Sequence, residues 1–279
     1  MKTIKRSKLR IACGKVYYGL KRQIDWRFSG KQFACLKNDT HILPVVLYHH
    51  QTPLIRNLPK VDLWLQKNKI INLQIGVQAL NNLIVYPGEV FSFWLQLGKP
   101  SKRKGYVEGF VLNSGRVEAG IGGGLCQLSN LIYWMTLHTP LTIIERWRHS
   151  YDVFPDSNRN IPFGSGATCS YPSLDLQIKN NTEQPVQLCV RLSDNYLIGE
   201  WRGLNLFQYS YRVYESFHEI TSDFQGRYVR HNILRRKVCN REMLQIGDEF
   251  IVENYGLMMY QPLLNDFKRD QGGREYEIF

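Results

Sequence analysis

The stretch that most constrains this chain is Gly120-Ile121-Gly122-Gly123-Gly124-Leu125-Cys126. A run of glycines lets two backbones approach more closely than a Cβ would permit, and it admits positive φ angles. A helix is expected to begin near Leu125. Leu128, Leu131, Ile132 and Met135 recur at three- and four-residue steps, and Pro140 closes the segment. Cys126 then falls in the first helical turn, where unpaired N–H groups and the positive end of the helix dipole favour a thiolate.

Around this centre the pattern is mixed. Val61 to Leu83 keeps helical spacing through Leu63, Ile70, Leu73, Val77 and Leu80. Leu43 to Lys60, punctuated by Pro44, Pro53 and Pro59, reads as a loop. Tyr86-Pro87-Gly88-Glu89 is a turn before a short strand, Val90 to Leu95. Tyr106 to Leu112 and Arg116 to Ala119 form a hairpin joined at residues 113–115. Beyond Pro140 strands dominate, over Leu141 to Arg148, Thr168 to Ile178, Val186 to Leu192, Tyr196 to Arg202, Tyr211 to Tyr214 and Phe250 to Asn254. The expected fold is α+β, with a helical N-terminal region, a sheet-rich body and one central helix preceded by the Gly-rich loop. The expected divisions are 1–40, 41–85, 86–202 and 203–279.

Charge separates the first of these from the rest. The chain of 279 residues carries 36 Lys/Arg and 24 Asp/Glu, net +12. Eleven of the basic residues and one acid (Asp25) lie in residues 1–37, leaving 25 basic and 23 acidic residues beyond. Within that segment Leu9, Ala12, Val16, Leu20, Ile24 and Phe28 recur at helical steps between lysines and arginines. Such a helix fits an anionic membrane surface, or packs on the body with a solvated basic face; Gly14 and Gly19 weaken it. No recognised nucleic-acid module comes after it, so a nucleic-acid partner is not expected. The apolar stretch Ile11 to Leu20 is broken by Cys13, Gly14 and Lys15, unlike a secretion signal, and no segment has the length of a membrane span. Six scattered cysteines without CxxC pairs suit reduced thiols, which puts the expected location in the cytoplasm, at most peripheral to the inner membrane face.

A cysteine nucleophile needs a base, and His149, at the end of the strand Leu141 to Arg148, is the candidate. The orienting acid is one of Asp152, Asp156 and Asp175, which spacing alone does not separate; Asp175 lies on the following strand. Backbone N–H groups at Gly122, Gly123, Gly124 and Gln127 are placed to hold an oxyanion, and Arg146 and Arg148 to recognise an anionic substrate. The glycine run also reads as a packing device with an inert cysteine, and the arginines as alternation on a solvated strand. It lacks the Gly-Lys-Ser/Thr ending of a phosphate loop. His49 and His50 point to opposite faces of a strand, and no cysteine pair has ligand spacing, so neither metal nor cofactor is expected.

Pro-Gly-Glu-Val-Phe-Ser (87–92), Leu-Gly (97–98), Lys-Gly-Tyr (104–106), Gly-Gly-Gly-Leu-Cys-Gln-Leu-Ser (122–129), Glu-Arg-Trp-Arg-His-Ser (145–150) and Ser-Leu-Asp-Leu-Gln-Ile-Lys-Asn (173–180) together resemble the VanW family over about Tyr86 to Arg202. The flanking segments extend the likeness to stand-alone members. The resemblance implies an association with the cell wall and the response to glycopeptides. Multidomain relatives are linked to L,D-transpeptidase activity through a cysteine acyl-enzyme on peptidoglycan peptides. Carried over by motif, the nucleophile is Cys126 and the base His149. Many members have Asp before an Ala-Thr pair, where this chain has Gly166 before Ala167-Thr168. The competing expectation is a non-enzymatic accessory protein that binds a cell-wall precursor, a membrane surface or a partner.

Overall fold

The computed structural model describes residues 7–56, 58, 61–113, 115–155, 161–262 and 274–275. In chain order the elements are α1 (Lys8–Phe28), β1 (Val45–Pro53), α2 (Leu63–Leu80), β2 (Leu83–Val85), β3 (Val90–Ser92), α3 (Phe93–Leu97), β4 (Glu108–Asn113), β5 (Arg116–Ile121) and α4 (Cys126–Leu137). Then come β6 (Thr142–Glu145), β7 (Tyr151–Asp152), β8 (Gln177–Lys179), β9 (Val186–Leu192), β10 (Tyr196–Gly203), β11 (Ser210–Ser222), β12 (Tyr228–Cys239), β13 (Gln245–Met258) and β14 (Arg274–Glu275). The fold is α+β.

The central helix α4 is apolar on more than one face. Leu128, Leu131, Ile132 and Met135 have no solvent exposure, and Tyr133, Trp134 and Leu137 are buried beside them. A helix this apolar must be covered on several sides. One cover is the antiparallel sheet β1-β10-β9-β2. Gly199 of β10 lies under Leu131 and Met135, so close that a Cβ there would sit 2.7 Å from the Met135 methyl. A second cover is α2, whose Gly76 faces Leu125 and Leu128. Trp201, wholly buried, donates from its indole N–H to Thr136 Oγ1 (3.1 Å), tying sheet to helix with a satisfied polar group.

The glycine run is the junction between α4 and the β4–β5 hairpin. A Cβ on Gly123 would overlap the Gly109 backbone, and one on Gly124, at φ +94°, would overlap the Lys69 side chain. Asn72 of α2 clamps the junction: its amide donates to Val107 O (3.0 Å) and Gly123 O (2.9 Å), and its Oδ1 accepts from Val107 N–H (2.9 Å).

Several expected elements change. Residues 43–60 contain a strand, β1, because Pro53 sits at its last position and β1 is a sheet edge, where a missing N–H leaves no ladder bond unmade. The helix expected to Leu83 ends at Leu80, and β2 begins soon after. Beyond Ser92 the chain turns into α3 instead of continuing as strand, because Ser92 Oγ accepts from Leu95 N–H (3.2 Å) and Asp175 Oδ1 from Trp94 N–H (2.9 Å). β6 and β8 are shorter than expected, and the C-terminal strands are longer, with β12 unanticipated: its Arg and Lys residues hide a period-2 pattern among long polar side chains.

Pairing crosses all three expected divisions. Phe33 bridges Val90 and Lys37 bridges Leu83, with Ala34 fully buried, so residues beyond α1 belong to the body. β1 joins β10, and β7 runs parallel to β13 in the sheet β14-β11-β12-β13-β7. The third sheet, β3-β8-β6, is tied to α1 through all three of its strands. There the Arg22 guanidinium donates to Glu145 (2.5 and 2.7 Å), Pro172 O (3.0 Å) and Ser173 O (2.9 Å), and Trp26 donates to Ser92 Oγ (3.1 Å).

Replacing Gly123 by Ala forces two backbones apart, and a loss of about 3 kcal/mol is expected in denaturant melts. Gly14→Ala, in open space on α1, is expected to leave stability unchanged or slightly raised. Equal effects at the two sites would refute the assigned role of the run.

Candidate functional site: an arginine-lined cavity beside the cysteine

A cavity of about 270 Å³ opens between the rim of β1, the N-terminal half of α4 and the segments 146–154 and 161–168. Its polar lining is lopsided. Arg56, Arg146, Arg148, His50 and His149 bring basic groups, whereas the one carboxylate among the described lining residues is that of Asp152. That carboxylate is turned towards Arg230 (Nε 3.3 Å) and accepts from the Tyr260 hydroxyl (2.8 Å), in a nearly sealed pair. Leu112, Ile161, Pro162 and Phe163 supply an apolar wall.

Alternation along residues 145–149 places these groups. Glu145 and Trp147 share one side, where Trp147 Nε1 donates to Glu145 (2.8 Å) and Glu145 binds Arg22 of α1. Arg146 and Arg148 share the other. Arg146 donates from Nε to Gly166 O (2.9 Å) and from Nη2 to Gly166 O (2.7 Å) and Gly164 O, and its plane lies over the Tyr133 ring at 4.8 Å. Arg148 donates from Nη1 to Tyr255 O (2.8 Å) and, more weakly, to His149 O (3.4 Å). Among the described residues neither guanidinium has a carboxylate partner. Burial lowers the pKa of both, and for Arg148 the Arg146 charge lowers it further. Two like charges held in one cavity favour an anion between or beside them.

Cys126 stands just outside this lining. It opens α4 one turn before Asn130, which does line the cavity, and its Sγ contacts Cys169 O at 3.6 Å. Burial pushes the thiol up, the reverse of the activation expected from a helix start, with the Cys169 backbone and the residue's own backbone offsetting part of it. The neighbouring Cys169 thiol is also held well up, by burial first and then by Cys126. His149 lines the cavity with its pKa lowered by burial alone, and its ring makes no hydrogen bond to Cys126. No hydrogen bond therefore joins the expected cysteine–histidine pair.

The acids are likewise placed elsewhere. Asp175 accepts from Ser92 Oγ (2.6 Å), Trp94 N–H (2.9 Å) and Leu176 N–H (2.9 Å), so it caps α3 and does not orient His149. Burial raises its pKa, against Ser92, Trp94 and Arg22, which lower it. Asp152 is engaged by Arg230 and Tyr260, and Asp156 lies outside the described residues. Of the expected oxyanion donors, Gly122 N–H is spent on Val107 O (3.0 Å) and Gly123 N–H on Gly120 O (3.0 Å). Gly124 packs on Lys69, and Gln127 ties α4 to β1 through Thr52 Oγ1 (2.9 Å) and Pro53 O (3.0 Å), with its own N–H bonded to Gly124 O (3.0 Å). The space an acid at position 166 would need is taken by Asn130. Its Oδ1 accepts from Ala167 N–H (2.7 Å) and lies 2.6 Å from where a Gly166 Cβ would stand.

Three groups here were not read from the sequence: Asn130, Arg56, and the buried Lys69. Lys69 sits under the Phe110 ring (5.6 Å), its pKa lowered by burial to about 8. Asn130 comes four residues after Cys126, and that spacing on one helix face was the available signal. A helical lysine carries no comparable mark.

Residues 68–202 match the sequence model of the family described as VanW like protein. The chain is 37% identical over 174 residues to the vancomycin B-type resistance protein VanW of Enterococcus faecalis, covering 62% of this chain and 63% of that protein. It is 30% identical over 120 residues to the uncharacterized protein YoaR of Bacillus subtilis, covering 43% of this chain and 38% of that one. The chain thus spans less than two thirds of either relative. No solved structure matches it.

Two imidazoles near the cavity, His138 buried and His50 half-buried, set a pH dependence. Burial lowers His50 to about 4 and His138, stacked on Tyr48, to about 3. Both are depressed below the unfolded value of 6.5, so below about pH 6.5 the unfolded chain takes up protons that the folded chain refuses. Stability is expected to fall as pH drops from about 6.5 towards 4, and the double variant His50→Gln/His138→Gln to show a shallower slope in denaturant melts across that range. An identical slope would contradict this assignment.

Proposed function

We propose, from the match of residues 68–202 to the VanW family and from the cavity geometry, that the chain binds an anionic, carboxylate-ended cell-wall precursor peptide as an accessory of the vancomycin-resistance response. One observation carries the reading: Arg146 and Arg148 flank a cavity in which the sole lining carboxylate among the described residues, Asp152, is already committed to Arg230. A terminal carboxylate placed there relieves the repulsion between the arginines and gains charge-assisted hydrogen bonds, while the wall at Leu112, Ile161 and Phe163 accepts an apolar side chain. His149, held neutral by burial, adds a polar contact without adding charge. Nothing in this reading requires the thiol.

A second reading, acyl transfer by Cys126 on peptidoglycan peptides, has a specific observation in its favour. The cysteine begins α4 one turn from Asn130 and adjoins Cys169, whose neighbour Thr168 lines the same cavity. Against it stand the raised thiol and the absence of a hydrogen bond to His149.

Calorimetric titration with a precursor-type pentapeptide bearing a free C-terminal carboxylate separates the two. Binding is expected for the acid and not for its C-terminal amide. Arg148→Ala is expected to weaken it by about 1.5–3 kcal/mol, and Cys126→Ser to leave it unchanged. Equal affinity for acid and amide would sink the binding reading. Mass-spectrometric detection of an acyl adduct on Cys126 after incubation with muropeptides would replace it with the transferase reading.

A further inference from the structure

The helix α1 is amphipathic and docked the wrong way round for a globular protein. The residues that hold it to the body are Arg22 and Trp26, and Gly19 faces Pro172, whose Cγ lies 3.7 Å from where a Gly19 Cβ would stand. Its apolar stripe, Leu9, Val16, Leu20 and Ile24 with Phe28, is more than half exposed at every one of those positions. At about 100° per residue the stripe and the docking residues lie on opposite sides of the helix. An ordinary surface helix buries the stripe and exposes the charges. Here the guanidinium of Arg22 is sunk against Glu145, and the large apolar side chains face outward.

We propose that the outward face of α1 is a docking surface for an anionic lipid membrane, on which the helix lies parallel to the plane of the headgroups. Charge complementarity selects this occupant. Arg22 and Asp25 are used internally, whereas Arg10, Lys15, Lys21 and Arg27 are exposed on the same helix, and residues 1–37 together carry eleven basic residues against one acid. A basic rim about an apolar stripe matches a surface that offers acyl chains below anionic headgroups: the stripe enters the apolar boundary, and the lysine stems reach back to the phosphates. A second copy of this chain would bring two strongly basic segments face to face. Nucleic acid would leave the apolar stripe without a partner. No helix among the described residues is long and apolar enough to cross a membrane, and α1 has no need to cross one in order to bind this way.

The test is co-sedimentation of the full chain with vesicles of phosphatidylglycerol and phosphatidylcholine, against vesicles of phosphatidylcholine alone. Binding is expected to the mixed vesicles and not to the neutral ones, and to weaken with added salt. Val16→Glu/Leu20→Glu changes only exposed side chains and is expected to abolish it with an unchanged melting midpoint. Arg10→Gln/Lys21→Gln is expected to weaken it roughly 25-fold, from about fivefold for each basic group removed. Three results would overturn the proposal: retention of binding by the Val16→Glu/Leu20→Glu variant, equal binding to neutral vesicles, or a solution dimer that the same variant dissolves while vesicles are ignored. None of these outcomes depends on a peptide ligand, so this surface and the arginine cavity stand or fall separately.

Discussion

Burying α4 on several sides at once is the constraint on which the rest of the structure depends. Leu128, Leu131, Ile132 and Met135 leave no solvent-facing side that could be given up, so a sheet, a second helix and a hairpin must all reach the same short helix. Close-packed interiors permit that only where side chains are absent at the contacts. Gly199 provides the opening towards the sheet, Gly76 towards α2, and Gly123 towards the hairpin. The glycine run therefore has a complete structural account, with Asn72 bonding to its carbonyl and Lys69 filling the space beside Gly124. A cysteine that begins such a helix is drawn towards the core, and its raised thiol has the same burial as its cause.

The short segment 145–149 links the two faces of the molecule on which function is proposed. Glu145 points to α1 and, through Arg22, fixes a helix whose apolar side looks outward. Arg146 and Arg148, one residue out of phase, point to the cavity, where the first holds the 164–166 loop by its carbonyls and the second reaches Tyr255 of β13. Side-chain alternation with period two thus separates the anchor of α1 from the arginine-lined cavity within a handful of residues. Asp175 contributes to the first of these: it stays buried by accepting from Ser92 and two backbone N–H groups, and Ser92 in turn accepts from Trp26 of α1.

Sequence patterning located α4, the β4–β5 hairpin, β9 and β10 well, because each is a run in which burial and period agree. It failed at β1, where Pro53 signals a break and is in fact tolerated at an edge, and at β12, where arginines and lysines obscure the alternation. Among the site residues, Arg146, Arg148 and His149 were legible as a cluster because they are consecutive or alternate. Arg56, Asn130 and His50 were not, since they reach the cavity from separate parts of the chain, joined only when β1 pairs with β10 and Gln127 ties α4 to Thr52.

By itself the sequence determined the likeness to the VanW family over residues 68–202, the α+β class, the central helix with its glycine-run approach, and the charge asymmetry between residues 1–37 and the remainder. Those are properties of local composition and short-range order. The tertiary structure decided which way each group faces: that Cys126 is held beside Cys169 without a bond to His149, that Asp175 caps α3, and that α1 docks through its arginine and not its apolar stripe. Orientation depends on which distant segments supply the competing partners, Glu145 for Arg22 and the Cys169 backbone for Cys126, and the spacing of residues along one chain carries no record of that competition.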